Sequence, residues 1–375
     1  MRLLEPRGEI RMRLAAIGDV GVIGRARARA RSQGWDAPFA ALAPALGSAD
    51  VAFANLEFPV GEPEWVAEGR SREFHHDAGA VEALARAGVR VVSLANNHLM
   101  DCGARGLART LEVCRAAELE TVGAGSDLAA ARRPARVTVR GCRTLWLAYA
   151  AGRAGVARPG APGVAPLESD LVREDLARWR DQTDLLVVSV HWGSMYVDYP
   201  PPRVLALAKV LVEGGADLVL GHHPHVTQGC RREGRSLTLF SLGDAVLDPA
   251  AGDFEARVAS EPRTDAGVFT VLVADAPGLE LAAATLDPAG VPHAASEARA
   301  ASHVARLRRI SAGLGDSGAR FAAESAPVLL RYELQSLGAY LRSGRLDRAA
   351  RLLGGVRPRH LPLLWQALRG RARSS

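Results

Sequence analysis

The sequence predicts a layered α/β fold, and three observations lead there. Short runs rich in Val, Leu and Ala recur along the chain, segments of helical periodicity lie between them, and nearly every run ends in a polar cluster. Continuous apolar runs of this length suit strands buried on both faces. Their alternation with helices suits sheets covered by helical layers.

Taken in order, Leu14–Ile17 precedes Gly18-Asp19, Val51–Ala54 precedes Asn55-Leu56-Glu57, and Val89–Ala95 precedes Asn96-Asn97-His98. Leu185–Val190 then runs into His191-Trp192-Gly193, Leu218–Leu220 into Gly221-His222-His223, and Leu237–Phe240 into Ser241-Leu242-Gly243-Asp244. Ala78–Ala87 and Pro202–Glu213 repeat apolar residues every three or four positions and read as helices. Gly152–Pro166, rich in Gly, Pro and Ala, reads as a surface loop beside the site, and Val268–Ala274 with Leu279–Thr285 as a closing hairpin. Beyond Pro288 the pattern turns to Ala- and Arg-rich helix. The expected division is a domain over residues 13–290 and a helical extension over 291–375.

Composition narrows the function classes. The 375 residues carry a net charge of +6, but Ala301–Ser375 alone holds 14 Arg and 4 acids, so the other 300 residues are net negative. A body of that sign is not a nucleic-acid-coating surface. The C-terminal arginines lack interleaved aromatics and read as an amphipathic helix covering the core. Cys102, Cys114, Cys142 and Cys230 form no CxxC pair and read as reduced structural thiols. No apolar stretch has the length of an export signal or a membrane span, so the expected location is cytoplasmic.

The chemistry lies in an ordered set: Asp19, Glu57, Asn97-His98, His191 and His223-Pro224-His225. In open α/β sheets, residues at the carboxyl ends of strands gather into one site. Carboxylate, amide oxygen and imidazole together suit one or two divalent ions such as Mn²⁺, Zn²⁺ or Fe²⁺. A pair of such ions needs a bridging carboxylate to offset their repulsion, and it activates water for attack at phosphorus or a carbonyl.

These motifs resemble the CapA/PgsA-type poly-γ-glutamate capsule proteins. The resemblance rests on Gly18-Asp19, Asn55-Leu56-Glu57, Ser93-Leu94-Ala95-Asn96-Asn97-His98 with Asp101, His191-Trp192-Gly193, Gly221-His222-His223-Pro224-His225 and Ser241-Leu242-Gly243. It implies a four-layer α/β/β/α sandwich of the metallophosphoesterase type. By position, it implies that Asp19 and His225 bind a first metal, Glu57 bridges, and Asn97, His191 and His223 bind a second. It also implies His98 as general acid or transition-state stabiliser, with Asp101 orienting it. Two departures stand out: Gly21 replaces the histidine usual in the wider superfamily, which leaves a single-metal site open, and Asp244 replaces the family's Asn.

Arg25, Asn96, Trp192, His222 and Asp244 are the candidates for substrate contact. Tyr196 is a further candidate for the pocket wall. Core packing is an equal reading for Trp192 and Tyr196, and support of its neighbours an equal one for His222. His75-His76 reads as a solvated loop, Asp198 and Asp248 have no assigned role, and His293, His303 and His360 read as unconnected to the site. The expected activity is hydrolysis or amide processing of an anionic γ-glutamyl, capsular or phosphorylated substrate. The alternatives are a non-catalytic assembly component and a general phosphomonoesterase or phosphodiesterase.

Overall fold

The computed structural model describes residues 1–152, 155–248, 251, 264–325 and isolated positions beyond. Two sheets stack face to face. Phe53 of one lies parallel to Trp146 of the other, with ring centroids 5.4 Å apart.

The first sheet runs in the order Arg2–Leu4, Gly278–Leu286, Asp265–Val273, Met12–Gly21, Val51–Leu56, Val91–Ser93, Glu120–Val122. Pro292–Ala294 adds to Gly278–Leu286, and Asp244–Leu247 pairs with the far end of Met12–Gly21. The second sheet runs Cys230–Glu233, Ser236–Leu239, Leu218–His222, Leu185–His191, Cys142–Ala150, Ala135–Val139. The central strands of both sheets are parallel, which points their carboxyl ends the same way within each sheet.

Alternation along the second sheet separates its two faces. Trp146, Ala148, Ala150 and Val187 face the first sheet, whereas Leu145, Leu147, Tyr149, Leu186, Val188 and Val190 face Val172, Leu176, Val204, Ala208 and Leu211 of the helices Ser169–Trp179 and Pro202–Glu213. Helices Gly24–Gln33, Ala43–Gly47, Ala78–Arg86 and Gly103–Ala116 bury Ala26, Leu46, Val81, Leu84, Leu107 and Val113 in the core of the first sheet. The architecture is the expected four-layer α/β/β/α sandwich.

Several elements differ in detail. The run Leu14–Ile17 is part of a longer strand, Met12–Gly21, because Gly18 and Asp19 stay in the sheet. Gly152–Pro166 is not a free loop: Gly163–Val164 pairs with Ala124–Gly125, and Gly163, Val164, Ala165 and Pro166 are buried. The expected hairpin is present as Asp265–Val273 and Gly278–Leu286. All four cysteines are free thiols, with Cys102 and Cys114 buried. Helix Glu297–Gly313 is capped by Ser296, whose hydroxyl accepts from the amide of Arg299, and it packs against the body of the fold. Within the described residues no helix is long and apolar enough to cross a membrane. His360 and most of the expected C-terminal extension lie outside the described residues.

Candidate metal centre

The site forms where the parallel strands of both sheets end. Along Met12–Gly21 the pairing with Val51–Leu56 shifts register between Ala16 and Asp19. Gly18 makes this possible. A Cβ there would lie 1.8 Å from the carbonyl oxygen of Gly243, and the Asp19 amide donates to that same oxygen at 2.9 Å. Asp19 is thereby fixed in a fully buried position beside Asn55, its register partner, whose Nδ2 donates to Asp19 Oδ1 at 2.8 Å. Glu57 follows the end of Val51–Leu56, and its amide donates to the Val20 carbonyl at 3.1 Å.

The second sheet supplies the imidazoles. His191 ends Leu185–His191, and His222 ends Leu218–His222 directly opposite it. His222 Nδ1 lies 3.1 Å from Asp19 Oδ1, and the His223 amide donates to Asp19 Oδ2 at 3.1 Å. His223 and His225 hold φ of 93° and 54°. Side chains rarely adopt such angles, and they persist where the surroundings enforce them, typically at functional sites. His225 Nδ1 lies 2.8 Å from Asp244 Oδ1 and 3.6 Å from Asp19 Oδ2, and its Nε2 lies 3.7 Å from Glu57 Oε1.

The turn after Val91–Ser93 carries the rest. Oδ1 of Asn96 accepts from the amides of His98 and Leu99 at 3.0 and 2.8 Å, and its Nδ2 donates to the Leu56 carbonyl at 2.9 Å. This places Asn97 Oδ1 2.7 Å from His191 Nε2. His98 Nδ1 lies 2.7 Å from Asp101 Oδ2, while Arg70 Nε pairs with Asp101 Oδ1 at 3.0 Å. The His98 ring packs against Phe58 and Phe74, with centroids at 4.8 and 4.9 Å, and the two phenyl rings touch each other at 5.1 Å.

Electrostatics sort these groups. Burial opposes the Asp19 charge, but the hydrogen bond from His222 and the neighbouring His222, His191 and His225 outweigh it and hold the carboxyl below its usual range. Burial likewise disfavours a His225 cation, yet Asp244, Glu57 and Asp19 push its pKa well above the ordinary value. Burial, then the proximity of His223, drives His191 far below it, and burial with His225 lowers His223 to about 3. His191 and His223 are therefore in the neutral form that ligates metals, whereas His225 would release a proton on binding one.

The donor set fits divalent cations. Ligand atoms of Asp19, Glu57 and His225 lie within 4.8 Å of one another, and all three residues are buried. Around His191 Nε2 lie Asn97 Oδ1 at 2.7 Å, His223 Nδ1 at 3.1 Å and Glu57 Oε1 at 3.9 Å. One ring nitrogen cannot donate to Asn97 Oδ1 and accept from His223 Nδ1 in the same tautomer. Lone pairs converging on one point are relieved by a cation. Glu57 stands between the two groups of donors.

The candidates for substrate contact divide. His222 and Asp244 touch the carboxylate and imidazole groups and serve as their supports. Trp192 is a correction: it follows His191 by one residue, so it points to the helical layer, where Nε1 donates to the Phe240 carbonyl at 3.0 Å and the side chain is buried. Asn96 is another, since its amide is spent on the backbone of the turn. Arg25 is committed to buried Asp248, which accepts from its Nη2 at 2.6 Å, from its Nε and from its backbone amide.

His75 and His76 are not a solvated loop; both are buried. His76 Nε2 accepts from the Val22 amide at 3.1 Å, and its Nδ1 lies 2.9 Å from the Phe58 carbonyl, so one ring joins the segments that follow Asp19 and Glu57. His303 also meets the edge of the site, with Nε2 2.9 Å from Thr227 Oγ1. Sequence reasoning misread His76 and gave Asn55 and Arg70 no role. Asn55 carried a signal, as a buried-strand amide two residues before Glu57 and therefore on its face; Arg70 carried none.

The family model of the bacterial capsule synthesis protein PGA_cap matches residues 13–249. Capsule biosynthesis protein CapA of Bacillus anthracis is 32% identical over 64% of this chain and 60% of its own. PGA biosynthesis protein CapA of Bacillus subtilis is 29% identical over 62% of each chain. The matches thus span about three-fifths of these relatives' length. A solved structure of 5′-nucleotidase from Candida albicans aligns with a TM-score of 0.45 and 10% identity, covering 83% of this chain and 60% of that one. With its motifs in order at the strand ends and more than half its length matched, the chain belongs to the bacterial capsule synthesis protein family PGA_cap.

Proposed function

We propose that this protein is a metal-dependent hydrolase or amide-processing enzyme acting on an anionic substrate of γ-glutamyl, capsular or phosphorylated type. The observation that carries the reading is the buried convergence of Asp19, Glu57 and His225, with Asn97, His191 and His223 on the other side of Glu57. Asp19 and His225 would hold one divalent ion, Asn97, His191 and His223 a second, with Glu57 shared. Bound ions of this kind supply Lewis acidity and a water of lowered pKa.

His98 supplies the proton chemistry. Asp101 accepts Nδ1–H, which fixes the tautomer and leaves Nε2 to hydrogen-bond a substrate oxygen or protonate a leaving group. Phe58 and Phe74, in contact with each other, pack against the ring and limit its movement. The names of the relatives refer to capsule and PGA biosynthesis, and with the family resemblance they favour a γ-linked glutamyl polymer or its fragments as the substrate.

Elemental analysis of protein purified without chelator tests the site, with Glu57→Ala beside it. One or two equivalents of a divalent transition metal, lost in the variant, are expected; phosphate esters and γ-glutamyl amides are then screened for turnover. Wild-type protein that neither carries metal nor takes it up on reconstitution sinks the proposal.

A further inference from the structure

Two loops of the site hold left-handed backbone at residues other than glycine: His223 and His225 on one, and Tyr196, at φ 60°, on the other. Such conformations persist only when surrounding structure over-determines them. The loops are tied to each other by the Tyr196 amide donating to the Pro224 carbonyl at 2.8 Å and by Gln228 Nε2 donating to the Val197 carbonyl at 2.8 Å. Both ties lie within the loops. Neither anchors the pair to the rest of the molecule.

The first loop is also held to the sheets, by the His223 amide on Asp19 and the Gln228 amide on the Ser241 carbonyl at 3.0 Å, and helix Glu297–Gly313 adds an anchor that reaches both loops. Arg306 spans the two loops: Nη1 donates to the carbonyl and hydroxyl oxygens of Thr227 at 3.0 and 2.9 Å, and Nη2 pairs with Asp198 at 2.7 Å. His303, one helical turn earlier on the same face, meets the Thr227 hydroxyl. The helix backbone comes close enough that a Cβ on Gly229 would lie 2.7 Å from the Ser311 amide nitrogen, and Ser311 Oγ accepts from the Cys230 amide at 2.9 Å. A planar guanidinium with five donors suits one clamp on a carbonyl, a hydroxyl and a carboxylate.

We infer that Arg306 is a positioning residue, which with His303 clamps both strained loops and so sets the ligand geometry of His223 and His225. The helix lies beyond residue 249, where the family match ends, so the site depends on structure outside the matched segment. This rests on the proposed metal centre, and it carries a readout of its own.

Full-length wild type, Arg306→Met, Arg306→Lys and Thr227→Val are compared by Mn²⁺ titration, and by hydrogen exchange of metal-free protein across residues 193–199 and 222–228. Arg132→Met is the control. It breaks an ion pair of similar burial with Asp175, and its partners Leu171, Glu174 and Asp175 all lie on helix Ser169–Trp179, outside both loops. Arg306→Met is expected to weaken Mn²⁺ binding at least about tenfold, the effect typical of losing an outer-shell support. Exchange at both loops rises with it, and Arg306→Lys recovers part of each. Arg132→Met lowers the melting temperature without either change.

Wild-type affinity and exchange in Arg306→Met overturn the inference, as does an equal loss in Arg132→Met. Should Arg306→Met fail to fold, Thr227→Val decides by the same two readouts. If wild type takes up no Mn²⁺ while exchange rises at both loops in Arg306→Met alone, the metal centre is wrong and the clamp stands.

Discussion

Nδ2 of Asn55 donates to Oδ1 of Asp19 between two adjacent strand ends, and neither side chain is reached by solvent. The carboxylate also receives the His223 amide, so its orientation is set from both sheets. Asn55→Ala removes one of these donors and leaves the other oxygen contacts in place. Metal affinity should fall roughly 10–100-fold, as for other lost supports of a ligand, with one or two equivalents still bound at saturation. Competition with a chromophoric chelator measures it; unchanged affinity would show that Asp19 needs no help from Asn55.

Asp101 separates proton chemistry from metal binding. Asp101→Asn keeps a hydrogen-bonding side chain against His98 and Arg70 but disfavours the tautomer with hydrogen on Nδ1. On a phosphate ester or γ-glutamyl amide that wild type turns over, kcat should drop about 10²-fold or more, within the range that general acid–base groups contribute. Metal content stays at the wild-type level, as it does in His98→Ala. Parallel loss of metal in both variants would place the pair in the ligand framework instead.

The parts of the site legible in the sequence are those that chemistry and strand parity mark together. Asp19, Glu57, His191, His223 and His225 follow apolar runs, and all converge where those strands end. Parity also separates His191 from Trp192: consecutive residues on a strand face opposite ways, so one of them had to point to the helices. What the sequence hid was the partner of each polar group. Arg25 resembles a free cation until Asp248 is seen beneath it, and His75-His76 resembles a loop until the two strand ends close around His76. Those contacts join residues 54 to 223 positions apart, which no local pattern encodes.

His76 gives the fold a dependence on acid. Burial lowers its pKa to about 3, because the buried ring stays neutral while Nε2 accepts from Val22. The unfolded chain titrates near the ordinary 6.5 and therefore binds more protons between these values. This group's contribution is fully present above about pH 6.5 and is lost as pH falls toward 3, with a slope of up to about 1.4 kcal/mol per pH unit. His76→Gln retains one donor and one acceptor in place of the two ring nitrogens and does not titrate. Its urea-unfolding free energy should fall less steeply between pH 6.5 and 4.5 than that of wild type; identical slopes would mean that His76 titrates normally.

Trp192 offers a test that sets core against pocket. Trp192→Phe deletes the indole N–H and leaves the buried Phe240 carbonyl short of a donor, and the smaller ring leaves space beside Gly221. An unsatisfied buried acceptor costs about 1–3 kcal/mol, so the unfolding free energy should fall by an amount of that order. Because the ring lies on the face of its strand opposite His191, KM for any substrate found should match wild type. A raised KM at unchanged stability would reverse the assignment and return Trp192 to the wall of the substrate pocket.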